Sequence, residues 1–295
     1  VTSFLLGLFP TVSKPVIATT NPLFFTSICA LAPFFVFTPL SITSSRRNRG
    51  KIQQTVKGKR IYVIVMISAF VGGIVGPVFY FFGLQTTAAS DASLLANAEM
   101  VFTIVIASFA FKEKLNRTGL LAVILVSIGV VVVTTNLQFS SSIFDFVSPG
   151  HLLILAAGLC WGLDNNIITY ASERIDVVKF IQFRSSLTGP ILLFASYLSS
   201  VFPPDASSLG KIFLIGLLVF GGSLYFNFLA LKWLGAIRST LIFPISSVFG
   251  LIAAYIILGE SIGIYQIVSV GVIFVGIYFM TRTESVRREA SYDLP

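Results

Sequence analysis

Charge is scarce in this chain: 11% of its 295 residues are charged, and the mean hydropathy is +0.92. A soluble domain carries charge at about a quarter of its positions, so soluble folding is excluded for want of polar surface. Histidine occurs once, as His151, and cysteine twice, as Cys29 and Cys160, far apart and inside apolar runs. So few ligands exclude a disulfide framework and a metal knot, and no cofactor or metal is expected. An intramembrane protease or metal enzyme would want a Ser/Lys pair, paired aspartates or a histidine-rich cluster on facing helices. The chain offers none of these. His151, beside Pro149 and Gly150 where a helix should begin, reads as an interfacial residue.

What the chain has is apolar length. Cutting at polar and breaker residues leaves ten runs, 2–19, 22–43, 60–84, 88–111, 117–136, 150–171, 177–201, 209–232, 237–258 and 262–281. Each is close to the roughly 20 residues that span a bilayer. The expected fold class is therefore an all-α membrane protein with ten transmembrane helices. The first run opens directly at Val1, which reads as a trimmed start.

The cations orient these runs. Between the second and third lie Arg46, Arg47, Arg49, Lys51, Lys57, Lys59 and Arg60, and the positive-inside rule places them in the cytoplasm. Alternation then brings Lys112, Lys114, Arg117, Arg174, Lys179, Lys232, Arg238, Arg282, Arg287 and Arg288 to the same side. Both termini are expected in the cytoplasm, with 283–295 as a tail, in an integral multi-pass protein of the plasma or inner membrane. The formal charge of +8 belongs to these juxtamembrane cations; it points to anionic membrane lipid as a partner and not to nucleic acid.

One stretch is written twice. Shifting 82–135 by 147 positions lays Leu84 on Leu231, Ala89 on Ala236, Leu94 on Leu241, Glu113 on Glu260, Gly129 on Gly276 and Thr134 on Thr281, without a gap. About ten of roughly fifty positions are identical, and the hinge glutamate and late glycine stay in register. Two halves, 1–140 and 150–282, with five spans each must run through the membrane in opposite senses. Such inverted repeats are commonly the build of secondary transporters. A channel or scaffold is the rival reading, although channels usually form symmetric oligomers around a filter.

The segments Leu229-Ala230-Leu231-Lys232-Trp233-Leu234-Gly235-Ala236 and Leu258-Gly259-Glu260-Ser261 carry a further likeness. With Phe82-Gly83-Leu84-Gln85-Thr86-Thr87-Ala88-Ala89, Phe111-Lys112-Glu113-Lys114 and Trp161-Gly162, they resemble the EamA-type repeat of the drug/metabolite transporter superfamily. The resemblance covers nearly the whole chain. It implies a ten-helix bundle with a central cavity lined from both halves, chiefly by the first, third, fourth, sixth, eighth and ninth helices. It also implies export or exchange of a small polar or amphipathic metabolite, amino-acid-like or similar, by alternating access in a monomer or dimer. The chain departs from the family in the fourth helix, where Met100 follows the glutamate in place of a frequent proline, and in the ninth, where Pro244 has no acid beside it.

Polar residues inside the runs are the site candidates, because a charge at mid-bilayer costs roughly 2.5 to 3.5 kcal/mol on insertion scales. Glu99 is either a cavity acid that binds a cation or a proton, or a buried carboxyl bonded to neighbouring helices. Asn97, two residues earlier, would stand about 200° away on a continuous helix, so the two should not share one narrow face. Lys14, between Pro10 and Pro15, is a substrate-binding candidate, with snorkelling to the outer interface as its alternative; it could also pair with Asp164. Trp161 and Asn165, four apart, share a face, which suits either a polar organic ligand or amide bonds between helices. Tyr80 aligns with Asn227 by the same 147-residue shift, and Tyr225 lies nearby. Arg184 either snorkels or takes a substrate carboxylate. Glu113 and Glu260 are expected to cap helices, Gly129 and Gly276 to serve packing, and Gly72 and Gly76 to let helices approach closely.

Overall fold

The computed structural model describes residues 1–47, 59–110, 117–136, 148–199, 205–240 and 243–292. Among these the chain is helix and short connections, with no strand. The first five helices are α1 (Thr2–Ile17), α2 (Pro22–Arg47), α3 (Lys59–Phe70, a π turn at Val71–Val75, then Gly76–Thr86), α4 (Ala89–Leu95 and Ala98–Ala110) and α5 (Arg117–Thr135). The rest are α6 (Pro149–Ser172), α7 (Val177–Leu198), α8 (Ala206–Leu214, a π turn at Ile215–Gly221, then Gly222–Thr240), α9 (Ile245–Ala253, ending in a π turn at Ala254–Leu258) and α10 (Ile264–Tyr292). The helical run that closes α8 is broken at Gly235, whose φ of 78° and ψ of 174° no helix contains. Residues 236–240 therefore form a separate short helical arm after the kink.

Among the described residues, five helical stretches are long and apolar enough to cross a bilayer: Pro22–Thr43, Arg60–Thr86, Ala89–Phe109, Pro149–Ser172 and Ala206–Ala236. Thr2–Ile17, Gly119–Thr135, Ile245–Leu258 and Ile264–Phe279 are shorter apolar helices. Large apolar side chains cover the outside, as with Leu120, Ile124, Ile128 and Val131 on α5 and Ile264, Ile267, Val275 and Tyr278 on α10. A lipid-exposed bundle has no reason to hide them. This is an all-α membrane protein.

The main packings join the first five helices to the last five: α2 on α7, α5 on α10, α1 on α9 and α4 on α6. Close approaches at glycine reveal their directions. Gly129 meets Ile273 and the Ser269 carbonyl, whereas Gly276 meets Leu125 and Ala122, so α5 and α10 are antiparallel. Gly72 and Gly76 face Asp164 and Trp161, and Gly83 faces Gly150, which makes α3 and α6 antiparallel. Gly158 lies against Glu99 and Gly162 against Phe102, which makes α4 and α6 parallel. The packing role expected of Gly72, Gly76, Gly129 and Gly276 is what these contacts show.

A side chain at Gly276 would start with its Cβ 3.1 Å from Leu125 Cβ and 3.2 Å from the Ala122 carbonyl. Gly276→Leu is expected to destabilise the bundle by about 1–3 kcal/mol through overpacking, read as a lowered midpoint of thermal unfolding in detergent.

Candidate functional site

Helix α4 is interrupted after Leu95, α9 starts only at Ile245, and these two places shape the site. In α4 the regular ladder gives way to Asn97 N–H on the Leu94 carbonyl, Glu99 N–H on Ala96 and Met100 N–H on Asn97. The Asn97 side chain donates to the Leu94 carbonyl at 2.9 Å, a local bond of the kind by which asparagine competes with helix. In α9 the equivalent position is Pro244, and Ser246 and Ser247 turn back onto Phe243 and Pro244. Asn97 and Pro244 are thus unlike residues doing one job. The break also corrects the expectation that Asn97 and Glu99 face different ways. The helix does not run continuously through Ala96, and both residues line the same cavity.

That cavity lies between the halves and encloses about 900 Å³, counting the space at its mouth. Tyr80, Asn97, Glu99, Trp161, Asn165 and Asn227 all line it. One wall is aromatic: Phe9 stacks on Tyr80 at 5.8 Å between ring centroids, Tyr80 tilts against Trp161 at 5.2 Å, and Phe220 lies 5.9 Å from Phe9. The polar wall is a relay. Asn165 donates through Nδ2 to Glu99 Oε1 at 2.6 Å and accepts through Oδ1 from Asn227 Nδ2 at 3.1 Å. Asn165 is buried, while Glu99 and Asn227 are partly exposed.

Behind the relay sits an ion pair absent from the expected set. Arg184 donates to Asp164 Oδ2 at 2.6 Å and to Ser68 Oγ at 2.9 Å, and Ser68 donates to Asp164 Oδ1 at 2.5 Å. Both charged side chains are only 4% exposed. Arg184 therefore does not snorkel, and the suggested Lys14–Asp164 pair does not form. Gly72 makes room for it, since any side chain there would strike the Asp164 carboxylate. Ser68, missed by sequence reasoning, could have been found as the first of three small residues, Ser68, Gly72 and Gly76, spaced one turn apart.

Two candidates stand outside the cavity lining. Lys14 donates to the Leu84 carbonyl at 2.8 Å, to that of Gln85 at 3.4 Å and to that of Thr87. It satisfies the open carbonyls at the end of α3, where a cation also complements the helix dipole. Tyr225 packs on Phe37 at 5.8 Å in a second apolar cluster. Its neighbour two residues on, Asn227, is the one that turns inward. His151 is buried at 6% exposure, not displayed at an interface.

Outside the cavity lining, polar bonds join the end of α9 and the start of α10 to the first turn of α4. Gly259, in the left-handed conformation at φ 68°, stops α9 and delivers Glu260 to the first turn of α4. There Glu260 accepts from the backbone amides of Ala89 at 2.8 Å and Ser90 at 2.9 Å and from the Ser90 hydroxyl at 2.6 Å. Gln266 adds bonds to Ser90 Oγ at 2.9 Å and Asp91 Oδ1 at 2.6 Å. The capping expected of Glu260 is present; Glu113 lies outside the described residues.

A cavity with polar and aromatic walls, enclosed by helices of both halves and by interrupted segments, defines a membrane protein that handles a small molecule. The model of the EamA-like transporter family matches residues 1–135 and again residues 148–282. The chain belongs to the EamA-like transporter family: it is a transporter and not an enzyme. An uncharacterized transporter of Methanothermobacter thermautotrophicus is 28% identical over 258 residues, covering 85% of this chain and 75% of that protein. A probable amino-acid metabolite efflux pump of Salmonella typhimurium is 29% identical over 217 residues, 68% of this chain and 70% of that one. A solved crystal structure shares the fold with a TM-score of 0.68 at 16% identity, covering 95% of this chain and 96% of its own.

Breaking a buried pair by removing one partner costs about 3–5 kcal/mol, whereas replacing both partners with apolar residues is often near neutral. Arg184→Met is expected to lose that much stability, and Arg184→Met with Asp164→Leu to regain most of it. Thermal unfolding of the two single variants and the double variant checks this as a cycle. Glu260→Ala, which uncaps α4, should cost about 0.5–2 kcal/mol in the same measurement.

Proposed function

We propose that this chain is a secondary active transporter that moves a small polar or amphipathic metabolite by alternating access. In this reading residues 1–140 and 150–282 are inverted repeats of five membrane-crossing helices, and rocking of one against the other exposes the cavity to each face in turn. The observation that carries it is the cavity itself. It lies between the halves, with the interrupted helix α4 and the start of α9 contributing from opposite repeats. Discontinuous helices at a repeat interface are where carriers commonly hold substrate. The antiparallel packing of α5 on α10 and the two matches of the family model support the inverted arrangement.

The cation-rich segments put both termini in the cytoplasm of a plasma or inner membrane, with 283–295 as a tail. The ends of α3 and α9 then lie on the outer side, so the Glu260 and Gln266 bonds close the outer end and the cavity faces inward. Export is the direction we favour, in line with the efflux in the name of the Salmonella relative, and the substrate class is a small polar or amphipathic metabolite. Membrane lipid surrounds the carrier, which works as a monomer or dimer. Tyr80, Asn97, Glu99, Trp161, Asn165 and Asn227 form the substrate site, and Lys14 and Tyr225 support its frame. Glu99 couples transport to protons, as an acid partly open to the cavity and hydrogen-bonded on one side only to Asn165.

Reconstitution into liposomes tests this. Substrate flux is expected to follow an imposed pH gradient, and Glu99→Gln to abolish that dependence while the protein stays folded. Flux that ignores the gradient would remove proton coupling, and unchanged coupling in Glu99→Gln would remove Glu99 from it.

A further inference from the structure

We infer that the cavity selects a protonated amine on an apolar or aromatic body, and rejects carboxylates, an assignment that rests on the cavity being the carrier's substrate site. The direction of the amide relay carries it. Glu99 Oε1 accepts from Asn165, so the Asn165 amide must present its nitrogen to Glu99 and its oxygen to Asn227. Asn227 must answer with its nitrogen, at 3.1 Å. This order leaves Asn227 Oδ1 buried with no hydrogen-bond partner among the described residues. A buried acceptor left open is costly, and a ligand's N–H can supply what the protein withholds. The two ends of the relay thus offer a carboxylate and a carbonyl oxygen, and an ammonium, with three donors and no acceptor, matches both.

The charges of the wall agree. Its lining holds two carboxylates, Glu99 and Asp164, against one cation, Arg184. Arg184 is already bound to Asp164 and Ser68. To receive a substrate carboxylate it would have to release Asp164, leaving that acid buried and unpaired. One negative charge remains uncompensated, at Glu99. Trp161 stands one helical turn from Asn165, about 5.4 Å along the axis. With Tyr80 and Phe9 it provides the faces on which an apolar body stacks and toward which a cation is drawn.

Three probes with nearly the same aromatic body separate the charge classes: phenethylamine, phenylalanine and phenylpropionate. In titration calorimetry with the purified full chain, phenethylamine is expected to bind at least tenfold more tightly than phenylalanine, and phenylpropionate to give no measurable binding. Asn227→Leu should weaken phenethylamine at least tenfold while the variant still unfolds in one cooperative thermal transition. Binding of none of the three, or of either carboxylate-bearing probe as tightly as the amine, overturns the assignment, as does an Asn227→Leu variant with unchanged affinity. Amine binding without flux into proteoliposomes leaves the recognition site standing and overturns the transport reading instead.

Discussion

Hydrocarbon offers no hydrogen-bond partner, so a membrane helix that breaks must find one for every amide and carbonyl it frees. The breaks in this bundle are arranged around that demand. Lys14 reaches from α1 to the carbonyls closing α3. Glu260 reaches from the end of α9 to the amides opening α4. Asn97 bonds back to Leu94 within its own interruption. Lys14 and Asn97 meet that demand among the first four helices, and Glu260 ties the end of α9 to the start of α4.

Charge obeys the same demand more severely. Arg184 and Asp164 neutralise each other with Ser68 closing the ring, so the deepest charges in the wall are structural ties among α3, α6 and α7. Glu99 has only an amide for a partner. The division is physical: a charge paired inside the protein is spent on holding helices together, and one that is hydrogen-bonded but unpaired remains available to an outside cation. Glycine completes the design at Gly72, where the absence of a side chain lets the Asp164 carboxylate lie against α3.

The candidates that sequence reasoning misplaced show where linear information fails. Lys14 and Asp164 lie at comparable places in the two halves and carry opposite charges, yet each found a different partner. Lys14 stands between two prolines of its own helix, but the carbonyls it serves lie at the end of α3 and just beyond it. Tyr225 and Asn227 are two residues apart on α8, and only helix rotation, set by packing of α8 on α2 and α6, puts Asn227 inward and Tyr225 against Phe37. Asn97 was separated from Glu99 by assuming a continuous helix.

Apolar run lengths and scarce charge were enough to determine an all-α membrane protein, because bilayer thickness and backbone satisfaction leave few other solutions for such a chain. The capping role of Glu260 was legible too, since a glycine-flanked acid at a helix end has few other uses. What only the tertiary structure decided was pairing: which carboxylate met Arg184, which groups oriented the Asn165 amide, and which end of the Asn227 amide was used. Those outcomes depend on helix rotations and approaches of a few ångströms between residues 20 to 116 positions apart, and nothing in their local sequence encodes that distance.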